Sequence, residues 1–388
     1  MPDSREREPA GRPLDHGSVP AVEAAAQALA SAVLSGDPRS VARLISRLEN
    51  GESEAQLAMR ALAGLGAGSA HVIGITGPPG SGKSTLTDKL IGLLRARGFR
   101  VGVLAVDPSS PFTGGAILGD RLRMQHHATD EGVFIRSLAS RGTLGGLSRA
   151  TAASVRVLGA AGYDWVIIET VGVGQSEVDI VRIADTVVLV SVPGLGDDIQ
   201  VIKAGIMEIG DIFVVNKADR EGADRVVREL RGMLETAASL AWARAGGGPG
   251  PVGDSGHHGP AAGGVATGAA TGAATGAPAH PLDESGHPVL PPILKTVAES
   301  GEGCAELVES IIAHRDRILA SGELEIRRIE GARAEIRSLM AFRLIDSLEG
   351  SGGAKLEEAL ARSVVDRECD AYEAADRLFA ALLKGGLA

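Results

Sequence analysis

Aromatic side chains are scarce in this chain of 388 residues, where Phe, Tyr and Trp together make up 3%. Few platforms for base stacking remain, which argues against a nucleic-acid binder. A basic excess is missing too: 39 Lys and Arg stand against 49 Asp and Glu, for a net charge of −10. That argues the same way. The two cysteines, Cys304 and Cys369, lie 65 residues apart and form no CxxC unit. Neither a disulfide framework nor a thiolate zinc site is expected from them. No apolar run reaches the roughly 18 to 20 residues of a membrane span, and Met1–Pro20 is polar with no core of signal-peptide type. The expectation is a soluble cytoplasmic protein that binds neither membrane nor nucleic acid.

What is present suits a large core. Hydrophobic residues reach 44% and charged residues 23%, and the length fits one large α/β domain or about two domains. Glycine is in excess, with 53 residues, and much of the surplus sits in one stretch. Residues 246–291 hold 13 glycines and 7 prolines, with a near-repeat TGAATGAATGA from Thr267. Such a segment buries too little apolar surface to offset its ordering entropy, and it reads as a disordered insertion. It carries His257, His258, His280 and His287, so weak metal buffering is the alternative to a solvated linker.

The polar tail of residues 1–20 also reads as disordered. Helical periodicity covers residues 21–66: Val22–Leu34, a segment capped by Asp37 with Val41, Leu44, Ile45 and Leu48 on one face, and Glu54–Leu65. Between His71 and Thr296 apolar runs alternate with amphipathic stretches, the pattern of βαβ units. The predicted strands are His71–Ile75, Arg100–Val106, Val133–Ser137, Trp165–Glu169, Thr186–Ser191, Ile212–Asn216 and Ile293–Thr296. Predicted helices are Lys83–Ala96, Leu147–Ala160, Asp198–Met207 and Ala223–Ala243. Runs such as WVII and VVLV suit strands buried on both faces. Past Gly303 the pattern is helical again: Ala305–Ala320, Leu324–Leu348, a Gly-rich break at Gly350–Gly353, then Lys355–Leu383. Ile326, Ile329, Ile336, Leu339 and Met340 form an apolar stripe there, a dimer or partner surface or a face packed on its own domain. The predicted fold is α/β, a P-loop NTPase with a mainly parallel sheet flanked by helices. A helical segment at 21–66 precedes a nucleotide domain at 67–303, and a helical arm at 304–388 follows.

The strongest chemical signal is Gly77-Pro78-Pro79-Gly80-Ser81-Gly82-Lys83-Ser84-Thr85, after a strand and before a helix. It satisfies G-x-x-x-x-G-K-[ST] in the setting the motif needs. Glycines let backbone N–H groups turn inward as an anion nest, and the helix N-terminus adds its positive dipole end. Residues Gly77 and Pro79 through Thr85 are the candidate phosphate binders. Lys83 supplies a charge to the β- and γ-phosphates and Ser84 a hydroxyl to Mg²⁺.

A second signal chooses the base. Asn216-Lys217-Ala218-Asp219 follows an apolar strand, 133 residues after Lys83. A buried carboxylate at Asp219 can accept from guanine N1–H and the exocyclic amine, a pattern adenine does not present. Lys217 can lay its stem over the purine. GTP and GDP are therefore the expected nucleotides.

Metal and hydrolysis residues come third. Asp107 ends the second predicted strand, at the sheet edge where doubly wound folds bind ligands. Glu169 opens an acid-x-x-Gly unit in which Gly172 can offer its N–H to a γ-phosphate. Lys83, Asp107 and Glu169 are the candidates for catalysis, and Ser84, Asp107, Glu169 and Asp120 for Mg²⁺. Val173 stands where a water-positioning glutamine is expected, and Gln175 comes two residues later. Slow unaided hydrolysis follows from a missing positioner.

The runs GITGPPGSGKST, DPSSPFTGGAILGDRLRM, RGTLGGL, ETVGVGQSEVDI, VPGLGDDIQVIKAGIMEI, NKAD and TVAESGEG resemble the MeaB/ArgK-type P-loop GTPases, chaperones associated with methylmalonyl-CoA mutase. The likeness covers residues 20–245 and 290–385. It implies a homodimeric GTPase that gates adenosylcobalamin delivery to an acyl-CoA mutase and protects that mutase. It further implies that Asp107 and Asp120 belong to a first switch, Glu169 through Glu177, including Gln175, to a second, and Val192 through Lys203 to a third that senses the partner through Asp197, Asp198 and Lys203. Val297 and Ala298 of TVAESGEG join the guanine pocket, and the C-terminal helices form the dimer arm. The insertion at 246–291 departs from the family pattern. Two rivals stay open: a small-molecule or protein kinase, after the family's old description as a transport-associated arginine kinase, and a metal-insertion GTPase. The latter needs a thiolate set or an ordered histidine cluster, and the sequence offers only the insertion's histidines.

Overall fold

A computed structural model describes residues 19–65, 69–108, 124, 126–127, 129–140, 146–170, 180, 182–194, 210–244, 289–349 and 351–383. The predicted helix Asp198–Met207, the tail at 1–18 and residues 246–288 of the insertion lie outside them, as do Asp120, Gly172, Gln175, Asp197, Asp198 and Lys203. The chain divides into two units, Met1–Ala70 with Ala153–Tyr163, and His71–Ala152 with Asp164–Ala388.

In the first unit α1 (Val19–Leu34), α2 (Pro38–Glu49) and α3 (Ser53–Gly64) pack together. The predicted stripe on α2 is its buried face, with Val41, Leu44 and Ile45 fully covered. Asp37 caps α2 by accepting from Ser40 N at 2.9 Å and Ser40 Oγ at 2.6 Å, and Pro38 occupies a first-turn position that needs no donor.

The second unit is built on seven strands: β1 (His71–Thr76), β2 (Val101–Pro108), β3 (Val133–Ser140), β4 (Trp165–Thr170), β5 (Thr186–Ser191), β6 (Ile212–Asn216) and β7 (Ile293–Thr296). Their order is β3-β2-β4-β1-β5-β6-β7 and every pairing is parallel. Strands β1, β4, β5 and β6 are buried at every residue, as their apolar runs require. Alternation sorts their side chains between two layers. Ile73, Ile75, Val188, Val190, Ile212 and Val214 pack with Leu86, Leu90 and Leu94 of α4 (Lys83–Ala96) and with Leu307 and Ile311 of α7 (Cys304–Ala320). Leu189, Phe213 and Val215 face Val226, Leu230 and Leu234 of α6 (Ala223–Arg244). Helix α5 (Gly146–Ala160) also precedes α6, its residues from Ala153 onward belonging to the first unit.

The described strands and helices match the segments predicted for them to within a few residues, with three corrections. Leu290, expected inside the structureless insertion, packs with the Phe213 layer, because Phe213 N bonds Pro292 O at 2.9 Å and draws the preceding residues inward. Helix α7, with which the arm expected from residue 304 starts, packs into the sheet's own core. The helix expected over Lys355–Leu383 is two, α9 (Ser351–Val365) and α10 (Ala371–Leu383). Arg367 adopts φ 62° between them, and Asp370 caps α10 by accepting from Glu373 N at 2.8 Å. Helix α9 also starts at Ser351, so Gly352 and Gly353 lie within it instead of forming a break.

The long α8 (Glu323–Glu349) is tied to the sheet by charges at its start. Arg327 forks onto Asp211 at 2.7 and 2.9 Å. Arg328 forks onto Asp185 at 2.8 and 3.0 Å. Behind them, His71 Nε2 lies 2.8 Å from Thr186 Oγ1, which lies 2.8 Å from His314 Nδ1, and His314 Nε2 is 3.2 Å from Asp211 Oδ1. These groups sit at the amino ends of β1, β5 and β6. Burial pushes the His71 imidazole down to about 4, opposed by the Asp185 carboxylate. Burial alone would raise Asp211, but the His314 and Arg327 hydrogen bonds outweigh it and hold that carboxyl well below the usual range.

Both shifts have the same sign in stability. Neutral His71 is favoured in the folded chain, so its contribution is complete above about 6.5 and lost as pH falls toward about 4. Asp211 contributes above the ordinary carboxyl pKa of 3.8 and loses its share below it. The melting temperature is expected to fall between pH 7 and pH 5, by roughly 2 kcal/mol of stability from His71. Thermal melts across that range check this; a flat profile, or one that His71→Gln leaves equally steep, contradicts it.

Candidate functional site

Strand β1 delivers the chain to the carboxyl edge of the sheet, between β4 and β5, where the strand order reverses and doubly wound sheets bind ligands. The loop Gly77–Gly82 wraps there into the N-terminus of α4. Gly77 has φ 145° and a Cβ on it would stand 2.1 Å from Val190 O, so only glycine fits against β5. Gly82, φ 86°, is the N-cap of α4; a Cβ would lie 2.4 Å from Asn216 Nδ2. The first turn of α4 carries no acid and no side-chain cap, so its N–H groups are available to an anion. Ser81 Oγ is fully buried and, among the described residues, without a hydrogen-bond partner. A closed nest of glycine-shaped backbone, an uncapped helix start and a buried unsatisfied hydroxyl fit a phosphate chain.

Lys83 and Ser84, the first residues of α4, are both buried. Lys83 Nζ donates to Gly77 O at 2.6 Å and to Pro78 O at 3.0 Å, which holds the ammonium over the loop. Ser84 Oγ donates to Glu169 Oε1 at 2.5 Å. Glu169 is buried on β4, in register between Ile75 of β1 and Ala105 of β2. Two of the residues assigned to Mg²⁺ are thus in contact, and a hydroxyl with a carboxylate is a hard oxygen pair suited to that ion. Asp107 sits two residues beyond Ala105 on β2, opposite Ala139 of β3. Its side chain, like Asp120, lies outside the described residues. Thr85 is half-buried, and Pro79 and Gly80 are exposed.

The guanine-reading candidates converge on the same loop. Asn216, buried at the end of β6, donates from Nδ2 to Ser81 O at 2.8 Å. Its Oδ1 accepts from Ala298 N and from Thr296 Oγ1, each at 3.1 Å. One side chain therefore binds the phosphate loop to the segment after β7, where Val297 N also bonds Glu302 O at 2.9 Å. Lys217 has φ 56°, a strained conformation for a residue with a side chain, and its Nζ donates to Gly80 O at 2.7 Å. Asp219 departs from expectation. It is exposed, not buried, because the turn Ala218–Arg220 rises off the sheet edge, with Ala218 N held by Thr296 O at 3.0 Å. None of the described residues hydrogen-bonds its carboxylate.

Two groups were not foreseen. Asn216 is a structural clamp as well as a pocket residue, and Thr296 is its partner. A cluster of Asp88, His126 and His127 includes a residue one turn along α4 from Ser84, so ordered histidines exist besides those of the insertion; the adjacent pair His126-His127 was the available signal.

An all-parallel sheet with a Gly-x-x-x-x-Gly-Lys-Ser loop between β1 and α4, joined through Asn216 to an NKxD turn, defines a P-loop GTPase. The chain belongs to the MeaB family, the methylmalonyl Co-A mutase-associated GTPases, whose family model matches residues 41–352. A protein of Pyrococcus abyssi that carries a provisional GTPase name is 44% identical over 356 residues, 91% of this chain and 95% of its own length. The mouse methylmalonic aciduria type A homolog, mitochondrial, is 34% identical over 256 residues, 66% of this chain and 52% of that protein. Among solved structures, an LAO/AO transport system kinase aligns with a TM-score of 0.60 at 24% identity, covering 93% of this chain and 98% of that one. At that identity the likeness is one of fold. No helix among the described residues is long and apolar enough to cross a membrane.

Proposed function

We propose that this GTPase is a cytoplasmic, homodimeric chaperone that gates adenosylcobalamin delivery to an acyl-CoA mutase of the methylmalonyl-CoA type and protects that enzyme. The observation that carries the nucleotide half is the Asn216 clamp, because it fixes phosphate loop, NKxD turn and the Val297–Ala298 segment as one rigid cradle. In this reading Gly77 and Pro79 through Thr85 enclose the phosphates, with Gly172 adding an N–H to the γ-phosphate. Lys83 neutralises charge that builds on the transferred phosphoryl group. Asp219 accepts from guanine, while Asn216, Lys217, Val297 and Ala298 shape the pocket around the base. Exposure suits Asp219, since a bound purine itself excludes water from the carboxylate.

Ser84, Asp107, Asp120 and Glu169 are the candidates to hold Mg²⁺, which when bound supplies charge stabilisation at the β- and γ-phosphates. The Ser84–Glu169 hydrogen bond keeps both oxygens in place before the nucleotide arrives. The Val173 side chain offers no hydrogen bond to a water, so turnover alone is slow and the partner raises it through Gln175 and the segment of Asp197, Asp198 and Lys203.

The family match supports the mutase half. The dimer is supported by α8 and its neighbours, which leave Ile326, Ile329, Ile336 and Met340 exposed. We assign residues 21–66 to a helical segment, 67–303 to the GTPase domain and 304–388 to the dimer arm, with α7 covering the sheet. The test is GTP turnover with and without an adenosylcobalamin-dependent acyl-CoA mutase, repeated with Lys203→Ala. Stimulation that Lys203→Ala blunts is expected. Stimulation left unchanged by that substitution removes Lys203 from the coupling, and no stimulation by any such mutase overturns the chaperone assignment.

A further inference from the structure

Asp88 lies in the second turn of α4, and His126 and His127 lie in a short helical turn ahead of β3. The three side chains bring their ligand atoms within 4.8 Å of one another. His126 Nε2 stands 2.9 Å and His127 Nε2 3.3 Å from the same oxygen, Asp88 Oδ1. The two rings pack with centroids 4.1 Å apart, so both nitrogens converge from one side. Short as these distances are, Asp88 Oδ1 is buried and makes no hydrogen bond of acceptable geometry among the described residues. A buried carboxylate oxygen faces two imidazole nitrogens at poor hydrogen-bonding angles, the arrangement of a ligand set; His127 Nε2 also lies 3.3 Å from the main-chain oxygen of Asp88, a contact that a bound ion would replace. Ligands at 2.0 to 2.2 Å around a tetrahedral ion lie roughly 3.3 Å from each other, close to the spacings here.

Among the described residues, Asp130 also acts electrostatically on His127, but it is forked by Arg95 at 2.8 and 2.9 Å, so its oxygens are engaged outside the set. Asp88 and His127 side chains are 14% and 12% exposed, whereas His126 is 60% exposed. The cluster is thus anchored on its inner side and open on its outer side.

We propose that Asp88, His126 and His127 form a binding site for a divalent first-row transition metal of the zinc class, with its remaining coordination open to water or an added ligand. Two imidazoles and one carboxylate favour such ions, while Mg²⁺ prefers all-oxygen surroundings. The donor set therefore differs in chemistry from the Ser84–Glu169 pair, although Ser84 and Asp88 stand one turn apart on α4. An ion there cross-links the turn ahead of β3 to the helix that follows the phosphate loop.

The test uses the full chain, stripped with chelator, with His257, His258, His280 and His287 all changed to Ala so that the insertion cannot contribute. Zn²⁺ is titrated in competition with a chromophoric chelator, and Co²⁺ loading is followed by its visible absorption. One equivalent of Zn²⁺ and a Co²⁺ d–d band are expected. His126→Ala, at an exposed position, is expected to weaken Zn²⁺ at least roughly tenfold and remove the band, with the metal-free melting temperature unchanged. Asp88→Asn is a second variant with the same expected loss. Failure of the parent to bind Zn²⁺, or equal affinity and an identical Co²⁺ spectrum in both variants, overturns the proposal.

Discussion

Lys83→Ala is expected to lower kcat/KM for GTP by roughly 10²- to 10³-fold, the usual scale for deleting one preorganised charge-stabilising donor. The side chain is buried, and its ammonium donates to loop carbonyls, Gly77 O and Pro78 O. Removing it takes away the cation nearest the phosphates and frees two carbonyl oxygens whose partial charge then faces the nucleotide. The hydrophobic layer of Leu86, Leu90 and Leu94 is untouched, so the helix stays seated. Turnover assays beside circular-dichroism melts separate the two effects. Near-normal turnover in a folded variant contradicts the placement of the phosphate site.

Asp219→Asn is expected to exchange guanine for xanthine preference. The carboxylate accepts twice from guanine; an amide accepts once and presents a donor where guanine also donates. Hydrogen bonds to a charged group contribute about 1.5 to 3 kcal/mol, so GTP affinity falls roughly 10- to 150-fold. Xanthosine triphosphate, with a carbonyl in place of the amine, gains. Because Asp219 is exposed and no described residue hydrogen-bonds it, the loss reports on the ligand and not on the fold. Calorimetry with GTP, ATP and xanthosine triphosphate reads it. Equal ATP and GTP affinities in the unaltered chain contradict the assignment.

The sheet was legible because its strands are local signals: WVIIE, TVVLVS and IFVVN are apolar throughout and end in polar residues that fall at the carboxyl edge. The phosphate loop was legible for the same reason, as nine consecutive residues fix both its shape and its chemistry. What stayed hidden depends on distance in the chain. The link between His71, Thr186 and His314 joins residues 115 and 128 positions apart, and no periodicity records it. Asp88 meets His126 across 38 positions of the chain, and no local pattern records that contact either. Asn216 reads as a base contact in NKAD; its grip on Ser81 O, 135 residues away, appears only once β1 and β6 share a sheet. The break between α9 and α10 was missed because Arg367 takes a conformation that usually calls for glycine, although Asp370 and Glu373 carry a capping signal.

Nucleotide-dependent affinity for the mutase tests the central claim most directly. Coupling between sites is reciprocal: a mutase that alters guanine-nucleotide affinity must itself be bound differently in the two nucleotide states, by the same factor. The measurement is the dissociation constant of this chain for an adenosylcobalamin-dependent acyl-CoA mutase with a non-hydrolysable GTP analogue and again with GDP. A difference of roughly 5- to 150-fold, matched by an equal shift in nucleotide affinity when mutase is present, is the expected result. Identical affinities in both states, or no complex in either, contradict it.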